Sequence, residues 1–276
     1  MKSQFVAANG ALIPSLGFGT YGMQGRVLSD ILPAALNAGF RHVDTAQVYA
    51  NEADVGLGIA QSGVDRNDVF ITTKVWVANC SPAAMARSVD ESLRKLRSDH
   101  VDLLLLHWPH DAVPLEDQIG ALNDVVHAGK ARHIGVSNYN RALLSRAAAL
   151  SAVPLATNQF EYHPYLEQRA LVSATRDAGL AVTAYCAMAV GRVFDDPTLQ
   201  EIAARNGRAV SQVVLRWLIQ QGNTIALSRT SNPDRLAGNA AIHDFELPAE
   251  DMATISALAR PGSRIVDPRG LAPDWD

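Results

Sequence analysis

Residues 101–111 read VDLLLLHWPHD, and the fold turns on what the four leucines mean. A strand with one wet face alternates apolar and polar residues, whereas a strand covered on both faces, the usual case in a parallel sheet, reads as an unbroken apolar run. Residues 101–107 are therefore expected to form a strand buried on both sides, with His107 where it emerges.

The pattern repeats along the chain. FRHVDT (40–45), VFITTK (69–74), ARHIGVS (131–137), LATNQF (155–160) and LAVTAY (180–185) read as further strands, with weaker candidates at SLGFG (15–19) and NTIALS (223–228). Longer segments between them carry helix punctuation. In residues 81–99, Ser81 is expected as N-cap, Pro82 as the first helical residue, and Met85, Val89, Leu93 and Leu96 as one apolar face. Asp196 and Pro197 repeat that opening, and Gly207 marks the stop. Roughly eight β/α units follow one another without a Pro-, Gly- or Ser-rich linker, which argues for a parallel sheet with helices over its faces. At 276 residues the chain suits a closed (β/α)8 barrel, which typically takes about 250. Ahead of the barrel, FVAANGALIP places Asn9-Gly10 between short apolar runs, the signal for a tight hairpin. The expected fold is α/β, a (β/α)8 TIM barrel with an N-terminal β-hairpin, forming one domain over residues 1–276. The tail, residues 260–276, holds too many Pro and Gly for a helix and either crosses the barrel mouth or frays.

A net charge of −4 with scattered Lys and Arg offers no basic stripe for nucleic acid or an anionic membrane. No apolar run approaches the ~18 residues of a membrane span, and the N-terminus lacks a signal-type apolar core, so a cytoplasmic protein is expected. Cys80 and Cys186 stand far apart in no CxxC or zinc spacing, so neither a disulfide framework nor a metal is expected, only two buried or idle thiols.

The strands end on Asp44, Lys74, His107, Ser137 with Asn138, Gln159 and Tyr185, and Arg229 follows the last. Each alone is a turn former, a solvated charge or a bonded core residue. In a barrel, however, all these ends converge on the rim where such folds build their sites. Rival signals are weaker. GFGTYG (17–22) is a literal GxGxxG with Asp44 beyond it, but a hairpin rather than a long strand precedes the glycines. His107, His110 and Asp111 could suggest a metal, yet Pro109 breaks helical spacing and no second ligand cluster appears. GVSNY (135–139) is not GxSxG, so a hydrolase elbow is absent. Lys74 remains a candidate Schiff-base lysine.

GFRHVDTAQVYANEADVG (39–56), FITTKVW (70–76), VDLLLLHWP (101–109), IGVSNY (134–139), ATNQFEYHPYL (156–166) and SRTSNPDRLAGN (228–239) resemble the characteristic segments of the aldo-keto reductases, from residue 5 nearly to the end. AYCAMAVG (184–191), the short loop after His107 and the ending GLAPDWD (270–276) are similar to bacterial members that act on 2,5-diketo-D-gluconate or methylglyoxal. The resemblance implies NADPH-dependent reduction of small aldehydes, α-dicarbonyls or keto-sugar acids by a monomer. It implies a catalytic tetrad of Asp44, Tyr49, Lys74 and His107. Tyr49 would be the proton donor, its pKa lowered by Lys74; Asp44 would orient Lys74, and His107 would donate to the carbonyl oxygen.

Thr20, Asp44, Ser137, Asn138, Gln159 and Tyr185 would meet the nicotinamide end of the cofactor, and the stretch containing Met188 its pyrophosphate. Arg229, Thr230, Ser231, Arg235 and Asn239 would surround the adenosine end, where two arginines suit a 2′-phosphate. Tyr21, Trp76, His107 and Trp108 would line the substrate pocket, while His110 is expected on a surface loop. Three departures from the family pattern stand out: Arg229 where many members have Lys, Gly238 in place of Glu or Gln, and Cys186 in place of Ser. A non-catalytic NADP-binding module on the same fold and a Lys74 Schiff-base lyase are the alternatives.

Overall fold

The structure, a computed structural model, describes residues 4–276. The chain opens with β1 (Phe5–Ala8) and β2 (Ala11–Pro14), paired antiparallel through Asn9 and Gly10. Both turn residues have positive φ, 44° and 87°, as so short a hairpin requires. Then come β3 (Leu16–Gly19), α1 (Gly25–Asn37), β4 (His42–Asp44), α2 (Glu52–Ser62), β5 (Phe70–Val75), α3 (Pro82–Leu96), β6 (Val101–Leu106), α4 (Leu115–His127), β7 (Ala131–Ser137), α5 (Arg141–Leu150), β8 (Leu155–Glu161), α6 (Arg169–Asp177) and β9 (Ala181–Tyr185). Two helices, α7 (Pro197–Arg205) and α8 (Val210–Gln220), precede β10 (Thr224–Ser228), and α9 (Leu236–Ala240) and α10 (Ala249–Ser256) lead to the tail.

The strands β3 to β10 close into a parallel barrel in the order β10-β3-β4-β5-β6-β7-β8-β9. All eight expected strands are present, including the two weak ones. The leucine run lies in β6, which is buried at every residue. Leu104 and Leu106 belong to the core between barrel and helices, whereas Leu103 and Leu105 belong to a second cluster with Val6, Ala8, Ala11 and Ile13 of the hairpin. The hairpin thus seats an apolar edge against residues of the barrel strands, and Asn9 Nδ2 donates to Leu155 O (2.8 Å) at the start of β8.

One local expectation is corrected. Ser81 holds the N-cap position of α3 with Pro82 behind it, but its side chain makes no cap bond. The two thiols, expected to be buried or idle, are both free: Cys80 is buried and Cys186 half-buried, and burial pushes both up to about 11, so both stay protonated near neutrality. Among the described residues no helix is long and apolar enough to cross a membrane.

Candidate active site

Asp44, at the end of β4, and Lys74, next to the end of β5, are both buried and lie 2.6 Å apart, Nζ to Oδ1. Lys74 Nζ also donates to Thr45 O (2.8 Å), and Gln159 Nε2 donates to the other Asp44 oxygen (2.8 Å). Burial alone would lower the Lys74 pKa, but Asp44 and Tyr49 lift it above the ordinary lysine value. The ammonium therefore persists. A Schiff-base lysine must present a free amine, and this arrangement opposes that.

Tyr49 sits at the end of a short 3-10 turn, Gln47–Tyr49, directly after β4. Lys74 Nζ lies 5.1 Å from its ring centroid. The rings of Tyr21 and His107 pack edge-on against it at 5.1 and 5.7 Å, and Trp76 packs against His107 at 5.5 Å. The expected direction of the Tyr49 pKa is corrected: burial raises it, and the pull of Lys74 does not reverse the shift. Burial, aided by Lys74, drives the His107 pKa down to about 2, so the imidazole is neutral throughout the working range. Its Nδ1 is buried and has no hydrogen-bond partner among the described residues.

A second network joins the next three strand ends. Tyr185 OH donates to Asn138 Oδ1 (2.7 Å), and Asn138 Nδ2 donates to His107 O (3.0 Å) and Ser137 Oγ (3.1 Å). Ser137 Oγ donates to Gln159 O (2.9 Å). Asn138 has φ of 64°, a left-handed conformation asparagine tolerates, and this lets its amide reach back along the rim. Thr20 is fully buried and bonds Asp44 O through both its N–H and its hydroxyl.

The remaining expected residues lie around this centre in different states. Arg229 donates to Tyr21 O, Arg235 rests over the Phe194 ring at 5.8 Å, and Ser231 is exposed. Among the described residues neither arginine forms an ion pair. Thr230 Oγ1 closes a local turn by accepting from Asn232 N, and the Asn239 amide is occupied at both ends by Ser228 and Ser211. Met188 lies in a turn where Cys186, Ala189 and Val190 all have positive φ, 45° to 58°. Such geometry is strained for a β-branched residue, and the Val190 side chain is exposed. Trp108 is nearly buried beneath Trp275 of the tail, their centroids 6.5 Å apart. His110 is partly exposed on the loop after β6.

Several supporting residues escaped the sequence reading. Asn51 Nδ2 donates to Thr20 O and Met23 O, tying the Tyr21 loop to the start of α2. Gln47 Oε1 accepts from Trp76 N and Asn79 Nδ2. Both stand within four residues of Tyr49, which was the available signal. Glu161 ends β8 and accepts from Ile265 N and Val266 N (2.8 Å each), so the tail crosses the barrel mouth. Among the described residues no three His, Cys, Asp or Glu side chains gather in a way that could hold a metal ion.

Barrel folds build their chemistry at this rim, and charged groups so deeply desolvated cluster at functional sites. The pattern of the aldo/keto reductase family matches residues 15–260. A methylglyoxal reductase of Salmonella typhimurium is 42% identical over 267 residues, 96% of this chain and 99% of that one; its Escherichia coli O157:H7 counterpart is 41% identical with the same coverage. A crystal structure assigned as a 2,5-diketo-D-gluconic acid reductase B superposes with a TM-score of 0.98 at 57% identity, covering 100% of this chain and 98% of that one. A Bombyx mori aldo-keto reductase in complex with NADP superposes with a TM-score of 0.90 at 31% identity, covering 97% and 96%. The chain belongs to the aldo/keto reductase family.

Proposed function

We propose that the protein, acting as one domain, reduces small aldehydes, α-dicarbonyls or keto-sugar acids to alcohols with NADPH. The observation that carries this reading is the Tyr49 ring set between the buried Lys74–Asp44 pair and the neutral His107. The names of the relatives, methylglyoxal reductase and diketogluconic acid reductase, point to the same substrates.

The chain's own groups suit the cofactor. Among the described residues Arg229 and Arg235 have no carboxylate partner, which favours a phosphate-bearing nucleotide. The strained turn from Cys186 to Gly191 would cover the pyrophosphate, a function that would repay its backbone strain. Ser137, Asn138 and Gln159 would hold the carboxamide with Tyr185 stacked beside it. When bound, NADPH supplies a hydride to the carbonyl carbon.

Negative charge then builds on the carbonyl oxygen. Tyr49, protonated at neutral pH, would hand its proton to that oxygen, and the neighbouring ammonium of Lys74 would stabilise the phenolate left behind. Asp44 would keep that ammonium charged and aimed. Neutral His107 would donate a ring N–H to the same oxygen, a role an imidazole fills without carrying charge. Tyr21, Trp76 and Trp108 would supply apolar walls.

The test is NADPH oxidation with methylglyoxal and with 2,5-diketo-D-gluconate, for wild type and Tyr49→Phe. Turnover by the wild type and a loss of about 10²–10⁴-fold in the variant are expected, the range for a removed general acid. Cofactor binding, followed by fluorescence quenching, should survive. Equal turnover by the two proteins would remove Tyr49 from the proposed role.

A further inference from the structure

Arg264 lies on the tail segment that crosses the mouth. Its guanidinium lies flat over the Trp275 ring, 3.6 Å from the centroid, and Trp275 packs edge-on against Trp108, the residue after His107. The position is fixed from the other side as well. Ile265 N and Val266 N, the next two residues, are hydrogen-bonded to Glu161 at the end of β8, and Trp275 Nε1 donates to Asp267 Oδ1 (2.9 Å). The side chain is thus held over Trp275, near the strand ends that carry Glu161 and Tyr185.

So firmly placed a cation should have an acceptor. Among the described residues Arg264 makes no hydrogen bond and no ion pair, and its Nη1 is buried without a partner. Glu161 and Asp267 act on it electrostatically, but neither bonds it: Glu161 Oε1 accepts from His163 Nε2 and Ile265 N, Oε2 from Val266 N, and Asp267 Oδ1 from Trp275 Nε1. Arg264 is half-buried, and that burial pulls its pKa below the usual arginine value against the opposing pull of Glu161. Buried polar groups are nearly always bonded, and a stacked guanidinium holds its N–H groups in one plane, so the Nε and Nη2 edge, which is not enclosed as Nη1 is, can meet a planar two-oxygen acceptor.

We propose that Arg264 is a binding residue for the carboxylate of a keto-acid substrate, which makes the enzyme prefer carboxylate-bearing carbonyl compounds to neutral ones of similar size. This rests on the reductase reading above. It adds a second anchor, contributed by the tail, to the oxygen site formed by Tyr49 and His107.

Two measurements test it separately from that reading. The first compares kcat/KM for 2,5-diketo-D-gluconate with that for neutral methylglyoxal, in wild type, Arg264→Gln and Arg264→Lys. Loss of a charge-assisted pair should lower the acid-to-neutral ratio about 10- to 100-fold in Arg264→Gln, with Arg264→Lys intermediate because it keeps charge but not the fork. A ratio that stays constant, whether both activities persist or both fall together, overturns the proposal. The second measures binding of D-gluconate by calorimetry, with uncharged D-glucitol as control, and needs no turnover. Gluconate affinity that weakens in Arg264→Gln, with no comparable binding of glucitol, supports the proposal. Equal affinity in wild type and variant, or no gluconate binding, overturns it. Wild-type protein silent toward both carbonyl substrates would remove the reductase reading, and the calorimetry would then decide on Arg264 alone.

Discussion

At the scale of single residues, burial decides more than the identity of the neighbour. A lysine beside a tyrosine suggests a lowered phenol pKa, yet Tyr49 is so enclosed that desolvation outweighs the cation. His107 shows the same effect on a base, its pKa driven down to about 2. A consequence for pH dependence follows. The His107 imidazole should stay neutral from pH 5 upward, so kcat/KM for carbonyl reduction should show no acid limb from His107. It should fall only where Tyr49 loses its proton, above the ordinary phenol value of about 10. A pH–rate profile with an acid limb near 6.5 that vanishes in His107→Gln would contradict this.

The element that carries the most unexpected information is the tail. Its composition allowed either a crossing of the mouth or fraying, because Pro and Gly exclude a helix without saying what replaces it. The crossing is decided by contacts from distant elements: Glu161 from β8, Trp108 after β6, and the start of α5, where Arg141 N donates to Asp276 Oδ2 (2.9 Å). Burial alone would raise the Glu161 pKa, but its bonds from His163 and two backbone N–H groups hold it below the usual carboxylate value. A carboxylate with a depressed pKa adds stability above its unfolded pKa and loses it as pH falls through the folded one. The tail should therefore stay docked at neutral pH and detach only below about pH 4, under the ordinary glutamate pKa. Tryptophan emission, to which Trp275 contributes, should report that step, and Glu161→Gln should shift or abolish it. Detachment near pH 6 would point to another group.

Across the whole molecule, stability and chemistry occupy opposite ends of the barrel. The hairpin packs Val6, Ala8, Ala11 and Ile13 against Leu103, Leu105, Ala181 and Ile225, while the tetrad candidates lie at or beyond the C-terminal strand ends. Ile13 is fully buried in that cluster. Ile13→Ala should cost about 2–5 kcal/mol in urea unfolding, the usual range for such a truncation, with kcat/KM held within about twofold at temperatures where the variant is folded. A large activity loss without a stability loss would show the two ends to be coupled.

The same division explains what could be read along the chain. Strand and helix order, the hairpin turn and the leucine strand were legible because each depends on local periodicity, turn chemistry and capping, which are written in neighbouring residues. The strand ends could be named as a candidate site because closing a parallel barrel brings them together whatever the loops do. The tail's path, the bonding of Asn51 and Glu161, the covered position of Trp108 and the net pKa shift of Tyr49 depend on desolvation and on contacts between residues far apart in sequence. Those quantities exist only once the barrel has closed, so only the tertiary structure decided them.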